Sequence, residues 1–291
     1  IDSVLPASVI KMLPETVQKK LGGIDCNRVI SARLRGQVSQ GLAVPLDEFN
    51  YKASFFSPNK WKKEDYDLTE ELGVIKYNQP EIMIPNAKLT RLPEFCPEYD
   101  IQSCDVFEDV LAKLMGQEVV VSEKVEGVHH AINSGEGIGF SICQRSYEVF
   151  PEEGKMLEVP CWRVAYDCDL DKTVCKMSAE LQSFVTVRSE FIGKNPAFKN
   201  YYELPDMQLR SFDIWINGLP INFDKEQQLV EKYRIKYVPI LHRGILRDLL
   251  AGKSIQEFSN GTSQINPQKK REGIVIRPVI EQSHPAIGRL L

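Results

Sequence analysis

The stretch Glu118-Val119-Val120-Val121-Ser122-Glu123-Lys124 constrains the fold more than any other. It is short, rich in β-branched valine and bounded by Gly116 and Gly127, so it reads as a buried strand. Residues 128–132 and 137–143 predict two more strands, with Asn133-Ser134-Gly135-Glu136 as the turn between them, an antiparallel meander. Further strands are expected over 184–192, 209–216 and 273–279. Helices are expected over 105–115, with Asp105 as N-cap and Gly116 as the stop, and near 170–182, 224–233 and 243–250. Antiparallel sheets flanked by helices make the fold class α+β.

Upstream, the chain to about residue 80 reads as short strands broken by turns, which suits a small barrel better than a helical bundle. Arg28, Arg33, Arg35 and Lys52 lie there, followed by Asn59-Lys60-Trp61-Lys62-Lys63, in which an aromatic sits among basic side chains. Bases can stack on such a tryptophan while lysines meet phosphates; the alternative is a solvated run with Trp61 in the core. Pro80, Pro85, Pro93 and Pro97 interrupt any long element and predict an extended connection, dividing the 291 residues into domains 1–85 and 86–291.

Composition narrows the function classes. No apolar run of 18 or more residues exists, so no membrane span or membrane partner is expected. Seven cysteines without a C-x-x-C pair predict neither a disulfide framework nor a zinc ribbon. They point to reduced thiols in an intracellular, cytoplasmic setting, with nuclear or viral origin left open. A net charge of -4 excludes a generic polycation, but nucleic-acid binding needs only local positive charge.

Glu123-Lys124-Val125-Glu126-Gly127 closes the valine strand with a lysine and sets a glycine three residues later. Alone, K-x-x-G is weak, since most strand-end lysines are solvated charges. Spacing to later segments decides: Gln144-Arg145-Ser146, then Val187-Arg188-Ser189-Glu190-Phe191-Ile192-Gly193, then Arg210-Ser211-Phe212-Asp213-Ile214-Trp215, then Arg271-Glu272-Gly273-Ile274-Val275-Ile276-Arg277. In this order the set resembles the covalent nucleotidyltransferase superfamily of ATP-dependent ligases and mRNA capping enzymes. R-S-E-F-I-G, S-F-D-I and E-G-I-V-I-R are most similar to the RNA ligase 2-like branch. R-G-Q-V-S-Q-G-L, beginning at Arg35, and L-G-V-I-K-Y, Leu72 to Tyr77, resemble the fifth RNA ligase family, whose members begin with an OB domain. The resemblance covers nearly the whole chain.

That resemblance implies an N-terminal OB-type β-barrel followed by an adenylyltransferase domain, with ATP and Mg²⁺ (or Mn²⁺) as cofactors. The implied activity is an ATP-dependent RNA ligase that seals 3′-OH/5′-phosphate nicks in a duplex with an RNA 3′-OH strand, through lysyl-AMP and RNA-adenylate. Its partner would be a nicked RNA-containing duplex. Lys124 would be the nucleophile; a free lysine, with pKa near 10.4, needs a divalent cation or cationic neighbour to expose a neutral amine. Arg145 and Glu190 match residues that contact the ribose, Phe212 the aromatic that stacks on adenine, and Glu272 a carboxylate that places a metal-bound water. Glu126 is implied in the metal shell, Glu123 near the adenine edge, Gly127 as the motif glycine and Arg277 as a phosphate contact. The blander alternatives are an Arg145–Glu190 salt bridge, a core Phe212 and a surface strand charge at Arg277.

The family's final motif supplies one or two lysines to the α-phosphate shortly after the last hydrophobic run, and the sequence reaches Gly288-Arg289-Leu290-Leu291 without them; the expectation is that the motif lies just past Leu291, and the alternative is that the protein lacks it, against self-adenylylation and nick closure. Gly135-Glu136-Gly137-Ile138-Gly139 reads as a hairpin turn and not as a phosphate loop. Asp167-Cys168-Asp169-Leu170-Asp171 fails as a calcium loop, with Lys172 at the glycine position. His129, His130, His242 and His284 lack ligand spacing and read as structural, and the helix over 224–233 as packing without chemistry. The competing functions are an mRNA guanylyltransferase, whose OB domain usually follows the catalytic domain, a DNA ligase of the same superfamily, and a nucleic-acid-binding protein without catalysis.

Overall fold

Valine-rich strands with both faces covered are rare outside doubly packed sheets, and the valine strand Glu118–Lys124 is such a case. The computed structural model describes residues 3–21, 27–29, 32–34, 37–39, 69–70, 72–76, 83–99, 101, 108–137, 139–195, 198–284 and 288–290. The chain divides into two units, Ile1–Glu81 and Ile82–Leu291.

The first unit holds β1 (Ser3–Val4), α1 (Ala7–Ile10), α2 (Glu15–Lys20), β2 (Arg28–Val29), β3 (Ala32–Leu34), β4 (Gln37–Ser39) and β5 (Ile75–Lys76). Strand β1 pairs antiparallel with β2 and β5, and β3 pairs with β4. Among the described residues these strands form no closed barrel. Arg35, Lys52 and the run Asn59 to Lys63 with Trp61 lie outside the described residues.

The second unit begins with β6 (Ala87–Arg91), α3 (Glu108–Leu114), β7 (Glu118–Lys124), β8 (Val128–Gly135), β9 (Gly139–Cys143) and β10 (Tyr147–Pro151). It continues with α4 (Pro160–Asp167), α5 (Leu170–Leu181), β11 (Val185–Ile192), β12 (Gln208–Ile216), β13 (Leu219–Pro220) and α6 (Phe223–Tyr233). Last come β14 (Ile240–Ile245), α7 (Leu246–Leu250), α8 (Ile255–Ser259), β15 (Gly273–Pro278), β16 (Ser283–His284) and β17 (Gly288–Arg289). Seven strands form one antiparallel sheet in the order β13-β12-β11-β8-β9-β10-β6, and three form another in the order β14-β7-β15.

Helices α4 and α5 cover the large sheet: Val164, Val174 and Met177 pack with Ile132, Ile142 and Val187 in one fully buried cluster. Burial of each such side chain contributes about 1.5–3 kcal/mol. In β7, Val119 and Val121 join Leu114, Leu246 and Ile276, while Val120, on the opposite face, meets Phe223 of α6 and Val279.

Several expectations are corrected. The three early strands are not one meander, because β7 belongs to the smaller sheet and only β8 and β9 are a hairpin. The predicted turn at Asn133 to Gly135 is strand: Asn133 is buried, its amide donates to Ser141 Oγ (3.3 Å) and its carbonyl accepts from Thr186 Oγ1 (2.7 Å). Polar residues read as turn signals are satisfied across the ladder. Arg243 and Gly244 are not helical but extend β14, which gives β7 its second partner; only Leu246–Leu250 is helix. The proline-spaced connection contains β6, paired along β10. Helix α3 appears as Glu108–Leu114, and its expected N-cap, Asp105, lies outside the described residues. No helix among the described residues is long and apolar enough to cross a membrane.

Candidate active site

The seven-stranded and three-stranded sheets of the second unit bring the motif residues together. Strand β7 delivers Lys124 at its C-terminal end, and its neighbour β15 pairs Gly273 with Lys124, so Glu272, one residue before, stands beside the lysine. The Lys124 ammonium donates to a Glu272 carboxylate oxygen, with both side chains partly exposed. From the large sheet, β8 supplies His129, β11 supplies Glu190 and β12 supplies Phe212. These groups line one cavity of about 410 Å³, which also includes Glu123, Glu126, Gly127, Arg145 and Arg277. All nine sequence-predicted site residues therefore line a single cavity of a size that holds a small ligand.

Local devices aim these side chains. Between β11 and β12, Arg188 pairs with Asp213 and Ser189 with Ser211, leaving Phe212 as the extra residue of a β-bulge. A bulge turns its unpaired side chain out of the regular alternation, here toward the cavity. The Tyr237 hydroxyl lies 2.7 Å from the Phe212 carbonyl and steadies it. The turn after Lys124 is held by the Glu126 N–H, which donates to the Tyr202 hydroxyl (2.9 Å). A Cβ on Gly127 would stand 2.5 Å from the Phe191 carbonyl oxygen and 2.9 Å from Glu190 Cγ, so glycine is required where β8 starts against β11.

Glu123 is buried; one carboxylate oxygen accepts from the Gln264 N–H (2.7 Å) and the other has no partner. An unpaired buried acceptor in a cavity wall is a place for a ligand donor. Burial, with the Glu272 charge behind it, pushes the Glu190 carboxyl up to about 8, and Lys124 offsets only part of this. Glu190 and Glu272 thus line the cavity as two carboxyl groups within electrostatic reach of each other. Among the described residues no three His, Cys, Asp or Glu side chains gather to ligate a metal directly.

Two residues stand in other company than expected. Arg277 is neither a surface charge nor free for phosphate: it is buried, and its guanidinium donates to Glu226, to Glu281 (2.8 Å) and to the Ile221 carbonyl. Arg145 forms an ion pair with Glu98 (3.7 Å) and not with Glu190. Helix α6, read as packing only, carries Glu226, the fully buried partner of Arg277.

Tyr99 and Tyr237 also line the cavity and went unrecognised in the sequence, and His129, read there as structural, lines it too. His129 and Phe212 rings lie 6.0 Å apart, and Tyr99 is 5.3 Å from Phe212. The available signal was period: His129 lies two residues past Gly127 on a strand, hence on the same face.

A family model described as RNA ligase matches residues 117–288. No curated protein matches the sequence. Solved structures of Naegleria gruberi RNA ligase are similar to this chain. A mutant with ATP and Mn aligns with TM-score 0.57 and 24% identity over 87% of this chain and 71% of that one. A second mutant, with AMP and Mn, aligns with TM-score 0.58 and 22% identity over 91% and 74%. The complex with PPi gives TM-score 0.57 and 24% identity over 87% and 72%. The match in fold places the same mixed architecture on both proteins, and since the family model spans more than half of its length, the chain belongs to the RNA ligase family.

Proposed function

We propose that this chain is an ATP-dependent RNA ligase that forms lysyl-AMP on Lys124, passes AMP to a 5′-phosphate and seals the nick with an RNA 3′-hydroxyl. The observation that carries the reading is Lys124 lining the cavity in contact with Glu272, with an aromatic ring re-aimed by a bulge into the same space. The Naegleria gruberi relatives were solved with ATP, AMP, Mn and PPi, which supports the same substrates and a divalent cation here.

In this reading adenine stacks on Phe212, an interaction of about 1–3 kcal/mol. The unpaired oxygen of Glu123 accepts from the base, and Arg145 and Glu190 orient the ribose. Lys124 Nζ gives up its proton and bonds to the α-phosphorus as the α–β anhydride breaks and pyrophosphate leaves. Glu272, already in contact with the ammonium, is the carboxylate placed to take that proton. Glu190, Glu272 and Glu126 would hold the divalent cation through its water shell. When bound, the cation neutralises phosphate charge and favours the neutral amine.

The N-terminal domain, residues 1–85, is assigned as OB-type and as the grip on a nicked RNA-containing duplex. This rests on the R-G-Q-V-S-Q-G-L segment and on the pairing of β4, which lies in it, with the preceding β3. Discrimination of RNA there would use the 2′-hydroxyl and A-form geometry. An intracellular, cytoplasmic setting accords with the five free cysteines among the described residues.

The test is label transfer from α-labelled ATP. The parent chain should become labelled, Lys124→Ala should not, and excess GTP should not compete. Labelling of Lys124→Ala would remove Lys124 as the nucleophile, preference for GTP would make the protein a guanylyltransferase, and sealing indifferent to a deoxyribose 3′ end would make it a DNA ligase.

A further inference from the structure

The adjacent histidines of β8 meet opposite chemistry. His130 is fully buried with Nε2 at 2.7 Å from the Cys161 carbonyl oxygen, a group that only accepts, so Nε2 bears the proton. His129 has Nε2 at 3.4 Å from Arg188 Nη1. A guanidinium has donors and no acceptor, so this nitrogen must offer its lone pair and the proton must sit on Nδ1. Arg188 has little freedom to turn away. It is 1% exposed, donates from Nη2 to the Pro97 carbonyl (3.0 Å), and lies over the Tyr99 ring at 5.1 Å and the Trp215 ring at 4.7 Å.

The consequence falls in the cavity. His129 lines it beside Phe212, yet its buried Nδ1 has no hydrogen-bond partner. With Nε2 turned to the Arg188 guanidinium, Nδ1 is the ring nitrogen that carries the N–H the imidazole can offer. The Glu123 oxygen without a partner is the complementary acceptor in the same wall.

We propose that Arg188 is a positioning residue that locks His129 in its Nδ1–H tautomer, and that His129 thereby donates to an acceptor atom on the nucleoside half of a bound nucleotide. The first half stands on the protein alone; the second rests on the nucleotide reading of the cavity given above.

Two-bond ¹H–¹⁵N correlation spectra of the full chain labelled in histidine test the first half, with His129→Gln and His130→Gln supplying the assignments. The expected spectrum has a protonated Nδ1 at His129 and a protonated Nε2 at His130, with His130 as the internal control. Arg188→Met should release His129 into a tautomer mixture; if that variant does not fold, the parent spectrum decides. A protonated Nε2 at His129, or a charged ring at pH 7, would overturn the assignment.

AMP binding tests the second half. His129→Asn sets an amide N–H where Nδ1 stands and should keep AMP affinity within about threefold, whereas His129→Gln sets it at the wrong ring position and should weaken AMP by roughly tenfold. Turnover at saturating ATP should change much less than affinity. Unchanged affinity in His129→Gln, or equal loss in both variants, overturns the donor role. If the parent chain binds no AMP at all, the nucleotide reading fails and takes the donor role with it, while the tautomer remains judged by the spectrum.

Discussion

Glu190 shows how the environment of one residue sets its chemistry. A carboxyl sequestered beside Glu272 and raised to about 8 keeps in the folded state a proton that the unfolded chain releases near its ordinary value. Between those limits the native state binds more protons than the unfolded one, so stability falls as pH rises through this window. Glu190→Gln should therefore raise Tm at pH 8 by roughly 2–4 °C and leave it little changed at pH 4, as differential scanning calorimetry can measure. An equal gain at both pH values would contradict the shifted carboxyl. The same variant should slow label transfer, since the amide holds a cation poorly. Lys124 and Glu272 were readable as residues because their neighbours in sequence carry a spaced motif. His129 was not, since its role depends on Arg188, which lies 59 positions away.

At the scale of elements, close approach governs. Strand β8 begins against β11 at Gly127 with no room for a side chain, and Gly127→Ala must push the Phe191 carbonyl and the Glu190 side chain aside. Overpacking of this kind costs about 1–3 kcal/mol, to be read from a urea melt, and label transfer should fall further than stability does because Glu190 moves with its strand. Wild-type-like transfer in Gly127→Ala would show that the approach is not needed. Strands β7, β11, β12 and β15 were legible within a residue or two, since β-branched runs bounded by glycine carry a strong local signal. The end of β14, from Arg243, was misread as helix and the end of β8 as a turn, because in both a partner strand satisfies backbone or side-chain groups that local propensity would leave to a turn.

Across the second unit, the two sheets are tied by a buried chain of charges. Asp213 on β12 takes both guanidinium nitrogens of Arg289 on β17, and Arg289 also meets Glu281 (2.7 Å). Glu281 in turn binds Arg277 of β15, which reaches Glu226 of α6. Burial alone would push the Asp213 carboxyl up, but Arg289 and Arg277 override it and hold it below the usual carboxylate range. Arg289→Ala leaves Asp213 charged, buried and short of its main partner, which should cost about 3–5 kcal/mol in chemical denaturation. Asp213→Asn together with Arg289→Met should recover part of that loss. A single variant as stable as the parent would show that the network contributes nothing.

A strand rich in valine, a lysine at its end and four spaced downstream segments were enough to carry the resemblance to the RNA ligase family, because the order and spacing of motifs are written in the linear sequence. Which groups share the cavity wall, which way Phe212 points and what engages Arg277 arose from contacts between distant strands, and burial there sets charge, proton position and partner in ways no local pattern records.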